Sequence, residues 1–453
     1  MPTPMAPELI AAIATPAGRG GIGIVRLSGA DLSRVIDGVV GRALAPRVAT
    51  SANFVGAHGE TLDQGLALYF PAPASYTGET VLELHGHGGP AVLAQILRRC
   101  LDLGARLAEP GEFTKRAFLN GKIDLAQAEG VADLIDAATA TAARAAARSL
   151  SGVFSAEVRA LVDGLTELRM FTEATLDFPE EDIEFMQRGD AAGKLASLRQ
   201  RLDSIAVRSR QGSLLREGLD VVLIGQPNVG KSSLLNQLAG DDIAIVTPHA
   251  GTTRDAIRSS VEIRGIPLHI IDTAGLRDSA DPIERIGIER TWTAIDRADL
   301  ALIVTDARSP DDGADAAIVA RLPRSLRRIV VRNKIDLAGI EAKRSESDGA
   351  RAVWLSARTG AGVELLREAM LAAAGAHEDM EGTFLARERH LQAMRAAGTH
   401  LEAAARHLHT SPPPLELFAE DLRAAQQALA AITGEFSADD LLGVIFSRFC
   451  IGK

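Results

Sequence analysis

Gly225-Gln226-Pro227-Asn228-Val229-Gly230-Lys231-Ser232 follows directly on the apolar run Leu219-Asp220-Val221-Val222-Leu223-Ile224 and leads into Ser233-Leu234-Leu235-Asn236. A buried strand that breaks into a glycine-rich turn and then a helix aims successive backbone N–H groups at one point, with the helix N-terminus behind them. That point suits a phosphate. Gly225 and Gly230 permit the tight turn, Lys231 can reach the β- and γ-phosphates, and the Ser232 hydroxyl is placed to ligate Mg²⁺. A chance glycine-rich β–α turn is the plainer alternative, and the residues downstream argue against it.

Ile270-Ile271-Asp272-Thr273-Ala274-Gly275 reads as a second buried strand ending in an acid and a glycine. That arrangement holds a Mg²⁺ shell and lets a backbone N–H sense the γ-phosphate. Ile329-Val330-Val331-Arg332-Asn333-Lys334-Ile335-Asp336 reads as a third strand, and its Asp336 carboxylate can accept two hydrogen bonds from guanine N1 and N2. Adenine cannot supply those donors, so a pocket built for that edge leaves its acceptors unpaired with the wrong base. Ser356-Ala357-Arg358, after the strand Ala352-Val353-Trp354-Leu355, is placed to close over the base. The loop Val246-Thr247-Pro248-His249-Ala250-Gly251-Thr252-Thr253-Arg254-Asp255 reads as the first switch, with Thr253 the ligand of Mg²⁺ and γ-phosphate. These motifs, in this order and each at a strand end, predict a GTP hydrolase on an α/β P-loop domain.

The chain has 453 residues, 46% of them apolar, enough for two or three domains with their own cores. A net charge of −10 argues against a protein that coats nucleic acid nonspecifically, although a local basic patch stays compatible with it. Cys100 and Cys450 are the only cysteines, so no disulfide framework is implied. No basic-then-apolar leader and no run of membrane-spanning length is present, and the expectation is a soluble cytoplasmic protein without a membrane partner.

Up to about Lys122 the pattern is α+β, with strands expected at 9–14, 22–27, 65–70 and 80–84 and helices at 30–40 and 90–101. Gly18-Arg19-Gly20-Gly21-Ile22-Gly23 fits a dinucleotide-binding pattern, but the extended run Ile24-Val25-Arg26-Leu27 follows it where a helix is needed. His85-Gly86-His87-Gly88-Gly89 reads as a turn rather than a metal site, for two histidines lack a third ligand. Beyond Asp124 the texture becomes alanine-rich and amphipathic, with Leu125, Ala128, Val131 and Ile135 on one face. It returns after the nucleotide motifs as the stripes Leu391, Met394, Ala397, Leu401, Ala404, Leu408 and Phe418, Leu422, Ala425, Leu429, Ile432, closed by Gly434. The expected organisation is therefore residues 1–122, a helical domain assembled from 123–216 and 378–453, and a nucleotide domain of 217–377 inserted in it.

Two chemical needs are not met by the obvious motifs. The position after the second motif, where Ras-like hydrolases place a water-orienting glutamine, is Leu276. Arg277, Asp278, Asp281, Glu284 and Arg285 are the nearest replacements, and Glu284 fits equally as the third-position cap of a helix opened by Asp281-Pro282. Charge compensation in the transition state falls to Arg254, if it is not simply a solvated loop cation, while Asn228 offers a neutral oxygen suited to a monovalent cation.

The chain resembles the MnmE/TrmE family of tRNA-modifying GTPases. The resemblance is carried by the glycine run 18–23, Tyr76-Thr77-Gly78-Glu79, Gly86-His87-Gly88-Gly89-Pro90, the stretch 110–122, Ala250-Gly251-Thr252-Thr253-Arg254-Asp255 and the terminal Cys450-Ile451-Gly452-Lys453. It implies an N-terminal homodimerisation domain that binds tetrahydrofolate, as the 5,10-methylene or 5-formyl form, at Arg26, Glu83, Lys122 and Lys453. It implies K⁺ held by Asn228, Thr247, His249 and Thr252, the last three through loop positions, and it places the water-orienting carboxylate at Glu284. The GTP-contacting set it implies is Asn228 to Ser233, Thr247, Pro248, His249, Ala250, Gly251, Thr252, Thr253, Asp272, Thr273, Ala274, Gly275, Asn333, Lys334, Asp336, Ser356, Ala357 and Arg358, with Val229, Gly230, Lys231, Ser232 and Ser233 inside the first run. It also implies an FAD-dependent partner of the MnmG/GidA family, joined in a heterotetramer or larger assembly. With it, a carboxymethylaminomethyl or aminomethyl group is installed on C5 of the wobble uridine of certain tRNAs, with Cys450 brought near the reaction. The alternatives are a regulatory ribosome-assembly type GTPase without modification chemistry, and a free-standing one-carbon transferase.

Overall fold

The computed structural model describes residues 8–177, 190–239, 258–272, 292–309, 316–347, 350–376, 382–435, 439–447, 449 and 452. By internal contacts the chain forms two compact units, residues 1–132 with 429–453, and residues 133–428.

The first unit is built on a six-stranded sheet of β1 (Ile10–Ile13), β2 (Gly20–Gly29), β3 (Thr50–Val55), β4 (Thr61–Phe70), β5 (Thr80–Gly88) and β6 (Arg106–Leu107), in the order β3-β4-β5-β2-β1-β6. All pairings are antiparallel except β1 with β6. Helix α1 (Pro90–Asp102) opens on a proline, which needs no N–H partner at that position, and buries Leu93, Ile96 and Cys100. These pack with Val25, Leu27, Phe54 and Leu84 of the sheet. Burial pushes the Cys100 thiol up to about 12, so it is an inert core residue. Residues Ser33–Val40 form the expected helix, widened to a π turn over Ile36–Val40.

Two readings of this region need correction. His85 to Gly88 is not a turn, because β5 continues through it, with Gly86 opposite Gly23 and Gly88 opposite Gly20. The glycines serve close strand approach: a Cβ at Gly88 would lie 2.6 Å from Gly20 O. The two histidines separate, His85 to Glu83 at 3.0 Å and His87 to Asp63 at 2.7 Å. The strand Thr50–Val55, not expected from the sequence, turns only Ala52 and Phe54 into the core.

Helix α2 (Glu112–Leu119) carries a buried ionic cluster. Arg116 bridges Glu112 at 2.9 Å and Glu79 at 2.8 Å, and Glu112 also takes Arg106 at 2.7 Å. Ser28 Oγ donates to Glu79 at 2.7 Å and meets Thr77 Oγ1 at 2.8 Å, so the polar atoms answer one another. Helix α3 (Leu125–Asp136) follows, with Leu125 and Ala128 buried and Ile135 exposed, so the expected apolar face ends before Ile135.

The second unit contains α4 (Ala140–Leu150), α5 (Val153–Asp177) and α6 (Ala191–Glu217), then β7 (Leu219–Ile224), α7 (Lys231–Ala239), β8 (Arg258–Ile263), β9 (Ile266–Asp272), β10 (Leu300–Asp306), β11 (Arg327–Asn333), β12 (Lys343–Ser347), β13 (Ala350–Trp354), α8 (Val363–Ala374), α9 (Glu388–Leu408) and α10 (Leu415–Thr433). The seven-stranded sheet runs β12-β13-β11-β10-β7-β9-β8, parallel except for the outer strands β8 and β12. β7 is buried on both faces, with Leu234, Leu366 and Met370 on one side and Ile295, Leu322 and Leu326 on the other. The strand order reverses at β7 and β10, which puts a ligand crevice at their carboxyl ends.

Helices α6 and α9 pack along apolar stripes: Leu195, Leu198, Leu202 and Ile205 on α6, and Leu391, Met394, Ala397, Leu401 and Ala404 on α9, are all buried. Arg169 Nη1 bonds Gln426 Oε1 at 2.7 Å between α5 and α10. Gly434 stops α10 at φ +87°, as expected. In the first unit the last helix, α11 (Asp439–Phe446), packs Leu442, Ile445 and Phe446 against Leu125 and Ala128. Among the described residues no helix is long and apolar enough to cross a membrane.

Burial alone would push the Glu112 carboxyl up, but bonds from Arg106, the Glu109 N–H and Arg116 outweigh it and hold the pKa at about 2, from 4.5. The native value is depressed, so the stabilisation is fully present above about 4.5 and is lost as pH falls toward 2. Glu112→Gln is expected to cost about 3 kcal/mol at neutral pH. Urea unfolding of the two proteins between pH 6 and pH 2 should converge at the acid end; a constant gap across that range refutes the assignment.

Candidate functional site

β7 ends at Ile224 and α7 begins at Lys231, with the glycine-rich loop between them. Two loop residues take left-handed backbone, Asn228 at φ +64° and Gly230 at φ +97°. A Cβ at Gly230 would overlap Asn333 Nδ2, and one at Gly225 would overlap the Val304 carbonyl, so both positions demand glycine on spacing as well. Lys231 Nζ donates to the Gly225 carbonyl at 2.6 Å and the Gln226 carbonyl at 3.1 Å, which folds the ammonium over the loop. Ser232 and Ser233 stand in the first turn of α7. Left-handed residues, a helix N-terminus and a mobile-stemmed cation around one concavity fit a polyphosphate.

Beside the loop stands Asn333, which is 1% exposed at the end of β11. Its Nδ2 donates to Val229 O at 2.7 Å, and its Oδ1 accepts from Lys334 N at 2.8 Å and Ala357 N at 2.9 Å. Three loops from three strands are thereby joined through one carboxamide. Ser356, fully buried, donates from Oγ to Asp336 Oδ1 at 2.7 Å and accepts from Thr359 N at 3.2 Å. Asp336 is exposed and carries its carboxylate at the rim beside Lys334, whose φ is +67°. Lys334 Nζ pairs with Asp306 Oδ2 at 3.0 Å, and Arg308 chiefly, then Lys334, hold the Asp306 carboxyl far below the usual carboxylate range. Arg358 is exposed just after Ala357.

The structure thus brings together Asn228, Val229, Gly230, Lys231, Asn333, Lys334, Asp336, Ser356 and Ala357. Asp272 closes β9 beside β7, and its side chain lies outside the description. Thr247, Pro248, His249, Ala250, Gly251, Thr252, Thr253, Thr273, Ala274, Gly275, Glu284, Cys450 and Lys453 lie outside the described residues.

In the first unit, Arg26 of β2 and Glu83 of β5 are direct cross-strand neighbours. Arg26 Nε donates to Glu83 Oε1 at 2.9 Å and its Nη1 reaches the Gly452 carbonyl at 3.4 Å. The guanidinium lies 5.8 Å from the Tyr76 ring centre and 5.9 Å from that of Phe113. Burial pushes the Tyr76 hydroxyl up, against the opposing bond to Thr114 Oγ1 at 2.9 Å. Lys122 is held apart from this pair, its Nζ on the Pro73 carbonyl at 3.1 Å. Two partners escaped the sequence reading: His85, whose Nε2 meets the second oxygen of Glu83, and Gly452, which is buried against Ile13 and Ala14. The signal for His85 was its two-residue spacing from Glu83 on one strand face. A half-exposed cation, a carboxylate and two flanking aromatic rings fit a flat polar heterocycle with an anionic tail.

The MnmE helical domain matches residues 125–450, and the N-terminus of the GTP-binding protein TrmE matches residues 9–122. The chain belongs to the MnmE family. It is 61% identical to the tRNA modification GTPase MnmE of Azoarcus sp., over 99% of both chains, and 60% identical to that of Laribacter hongkongensis, over 98% of this chain and 99% of the relative. It is also similar to the FeoB G-domain of Methanococcus jannaschii, 26% identical over 35% of this chain and 97% of that chain, with a TM-score of 0.26.

Asn333→Ala removes three hydrogen bonds and strands a buried carbonyl and two N–H groups. We expect guanine-nucleotide affinity to fall by at least about 10²-fold, corresponding to roughly 3 kcal/mol. Titration of fluorescent GDP checks it, and an unchanged Kd would show that the loops hold without the carboxamide.

Proposed function

We propose that this chain hydrolyses GTP in the service of tRNA modification and that, with an FAD-dependent partner, it installs a carboxymethylaminomethyl or aminomethyl group on C5 of the wobble uridine. The observation that carries the reading is the glycine-rich loop fastened by Asn333 to a base pocket whose acceptor is Asp336. Family membership makes the chain a GTPase of tRNA modification; the finer chemistry rests on the residues it shares with that family.

Lys231 begins on two loop carbonyls and exchanges them for phosphate oxygens when GTP enters. The exchange is favourable because ammonium–phosphate bonds are charge-assisted. Asp336 accepts from the guanine edge while Ser356 holds its other approach, so the pocket rejects adenine by leaving the carboxylate unpaired. Ser232 and Thr253 would hold Mg²⁺, and Asn228, Thr247, His249 and Thr252 would hold K⁺. Bound there, the two cations supply the compensating charge that an arginine finger supplies elsewhere. Glu284 orients the attacking water in place of the glutamine that Leu276 replaces.

Arg26, Glu83, Lys122 and Lys453 would hold a tetrahydrofolate, which supplies the one-carbon unit. Arg26 is kept in place by Glu83, the aromatic rings and the carbonyl of Gly452, the one described residue of the terminal tetrapeptide. Homodimerisation and nucleotide-driven meeting of two nucleotide domains would complete each cation site, and cleavage of the GTP would move the helices, in a cytoplasmic assembly with the flavoprotein.

Turnover of GTP in KCl should exceed that in NaCl by at least about 10-fold, and Glu284→Ala should keep nucleotide affinity while losing about 10² to 10⁴ in rate. Equal rates in the two salts refute the cation, and surviving turnover leaves Glu284 a helix cap. Mass analysis of tRNA from a deletion strain should show the wobble uridine without its C5 substituent, restored by the wild-type chain and not by Glu284→Ala. A normal wobble uridine in the deletion strain sinks the modification reading while leaving the GTPase intact.

A further inference from the structure

The two places where the chain crosses between the nucleotide-binding sheet and the helices converge on one carboxylate. Asp133, in the last turn of α3, has a side chain 5% exposed, and its Oδ1 accepts from Arg216 Nε at 2.9 Å and from Arg387 Nη2 at 2.8 Å. Arg216 stands at the end of α6, two residues before Gly218 and β7, on the outgoing crossing. Arg387 caps α9 on the returning one. The returning segment is buried at Thr383, Phe384, Leu385 and Ala386 and lies so close to α6 that a Cβ at Gly212 would overlap the Phe384 carbonyl. Ser149 Oγ of α4 donates to Leu385 O at 3.2 Å.

The connection after α3 also grips the sheet. Thr139 Oγ1 donates to Gly265 O at 2.9 Å, and a Cβ at Gly265 would lie 2.6 Å from Thr141 Oγ1. Gly265 is the turn of the β8–β9 hairpin. The chain enters that hairpin from the segment 247–255 and leaves it into 272–275, the stretches expected to follow the γ-phosphate. A cavity of about 270 Å³ lined by Asp133, Ala138, Ala142, Leu215, Arg216 and Leu385 opens at this junction. Packed elements switch between discrete arrangements rather than deform continuously, and the triad stands at the rim of this partly solvent-open recess, where its side chains can re-pair. A buried carboxylate shared by two guanidiniums is a weak stabiliser compared with apolar packing and a good register device.

We propose that Asp133 is a positioning residue that couples the state of the nucleotide to the helices, holding both crossings in one register and releasing or re-pairing them when the hairpin shifts. It rests on the reading that GTP cleavage moves the helices. Hydrogen exchange on the full-length chain, free and with GDP and aluminium fluoride in KCl, tests it. In the wild type, amides of 137–141 and 383–387 should change exchange rate by at least about threefold on binding. Asp133→Asn should bind the nucleotide with a Kd within about twofold of wild type, and its segment 383–387 should no longer respond, whereas Asp133→Glu should keep a response. An Asp133→Asn protein that responds like wild type overturns the proposal. A wild type whose helices do not respond at all defeats the reading beneath it instead. Should Asp133→Asn fail to fold, Arg387→Lys, which keeps the charge but not the fork, carries the test: an undiminished response overturns the coupling, a weakened one supports it.

Discussion

One buried carboxamide holds the nucleotide site in register. Asn333 takes a proton acceptor from the phosphate loop and two donors from its own and the following loop, so that groups from β7, β11 and the segment after β13 meet at one point. Those loops each bury an apolar side chain, Val229, Ile335 and Ala357, but apolar packing pairs no N–H or C=O. Their backbone groups would otherwise be solvated or unpaired, and an unpaired buried group costs about as much as a lost hydrogen bond. The side chain that fits must donate and accept at once in a fixed plane, which asparagine does and aspartate does not. Gly230 is the counterpart of that choice, for the carboxamide occupies the volume its Cβ would need.

The legibility of this site follows from how local its determinants are. Strand, glycine turn and helix succeed one another within one short run, so Lys231 and Ser232 could be placed from order alone. Asp336 and Ser356 were legible as strand-end motifs, though the bond between them was not. The ion triad on Asp133 had no such signal, because its partners stand 83 and 254 residues away. His85 to Gly88 misled for a different reason. Glycine alternating with histidine has turn composition, yet here the missing Cβ atoms let three strands run close together, with Gly65 against the His85 carbonyl and Gly88 against Gly20. Thr50–Val55 carries too few inward apolar residues to announce an edge strand.

The junction between the helices and the sheet has an apolar part, with Ala145, Ala146, Leu215 and Leu385 in the same buried cluster as Leu219, Ile263 and Leu268 of the sheet. Apolar stripes on α6 and α9 hold those helices to each other before any contact with the sheet is counted. Beside that apolar contact the crossings carry polar, directional bonds: Thr139 to Gly265, Ser149 to Leu385, and two arginines on Asp133. Polar joints of this kind contribute little net stability but distinguish sharply between registers, because a misplaced donor loses its bond whole.

The same distinction separates two ionic groups of the N-terminal unit. Arg116, Glu112 and Glu79 have side chains about 10% exposed or less, and Ser28 and the Glu109 N–H answer carboxylate oxygens of the cluster, so it is a closed structural joint. Arg26 and Glu83 are 23% and 17% exposed, and the pair lies open beside two aromatic rings. A pair meant only for stability would gain from being either fully satisfied or absent. One left partly solvated, with its guanidinium oriented by Tyr76, Phe113 and the Gly452 carbonyl, keeps polar groups fixed at an accessible surface. The closed cluster therefore uses its charges within the fold, while the open pair keeps a donor and an acceptor within reach of solvent.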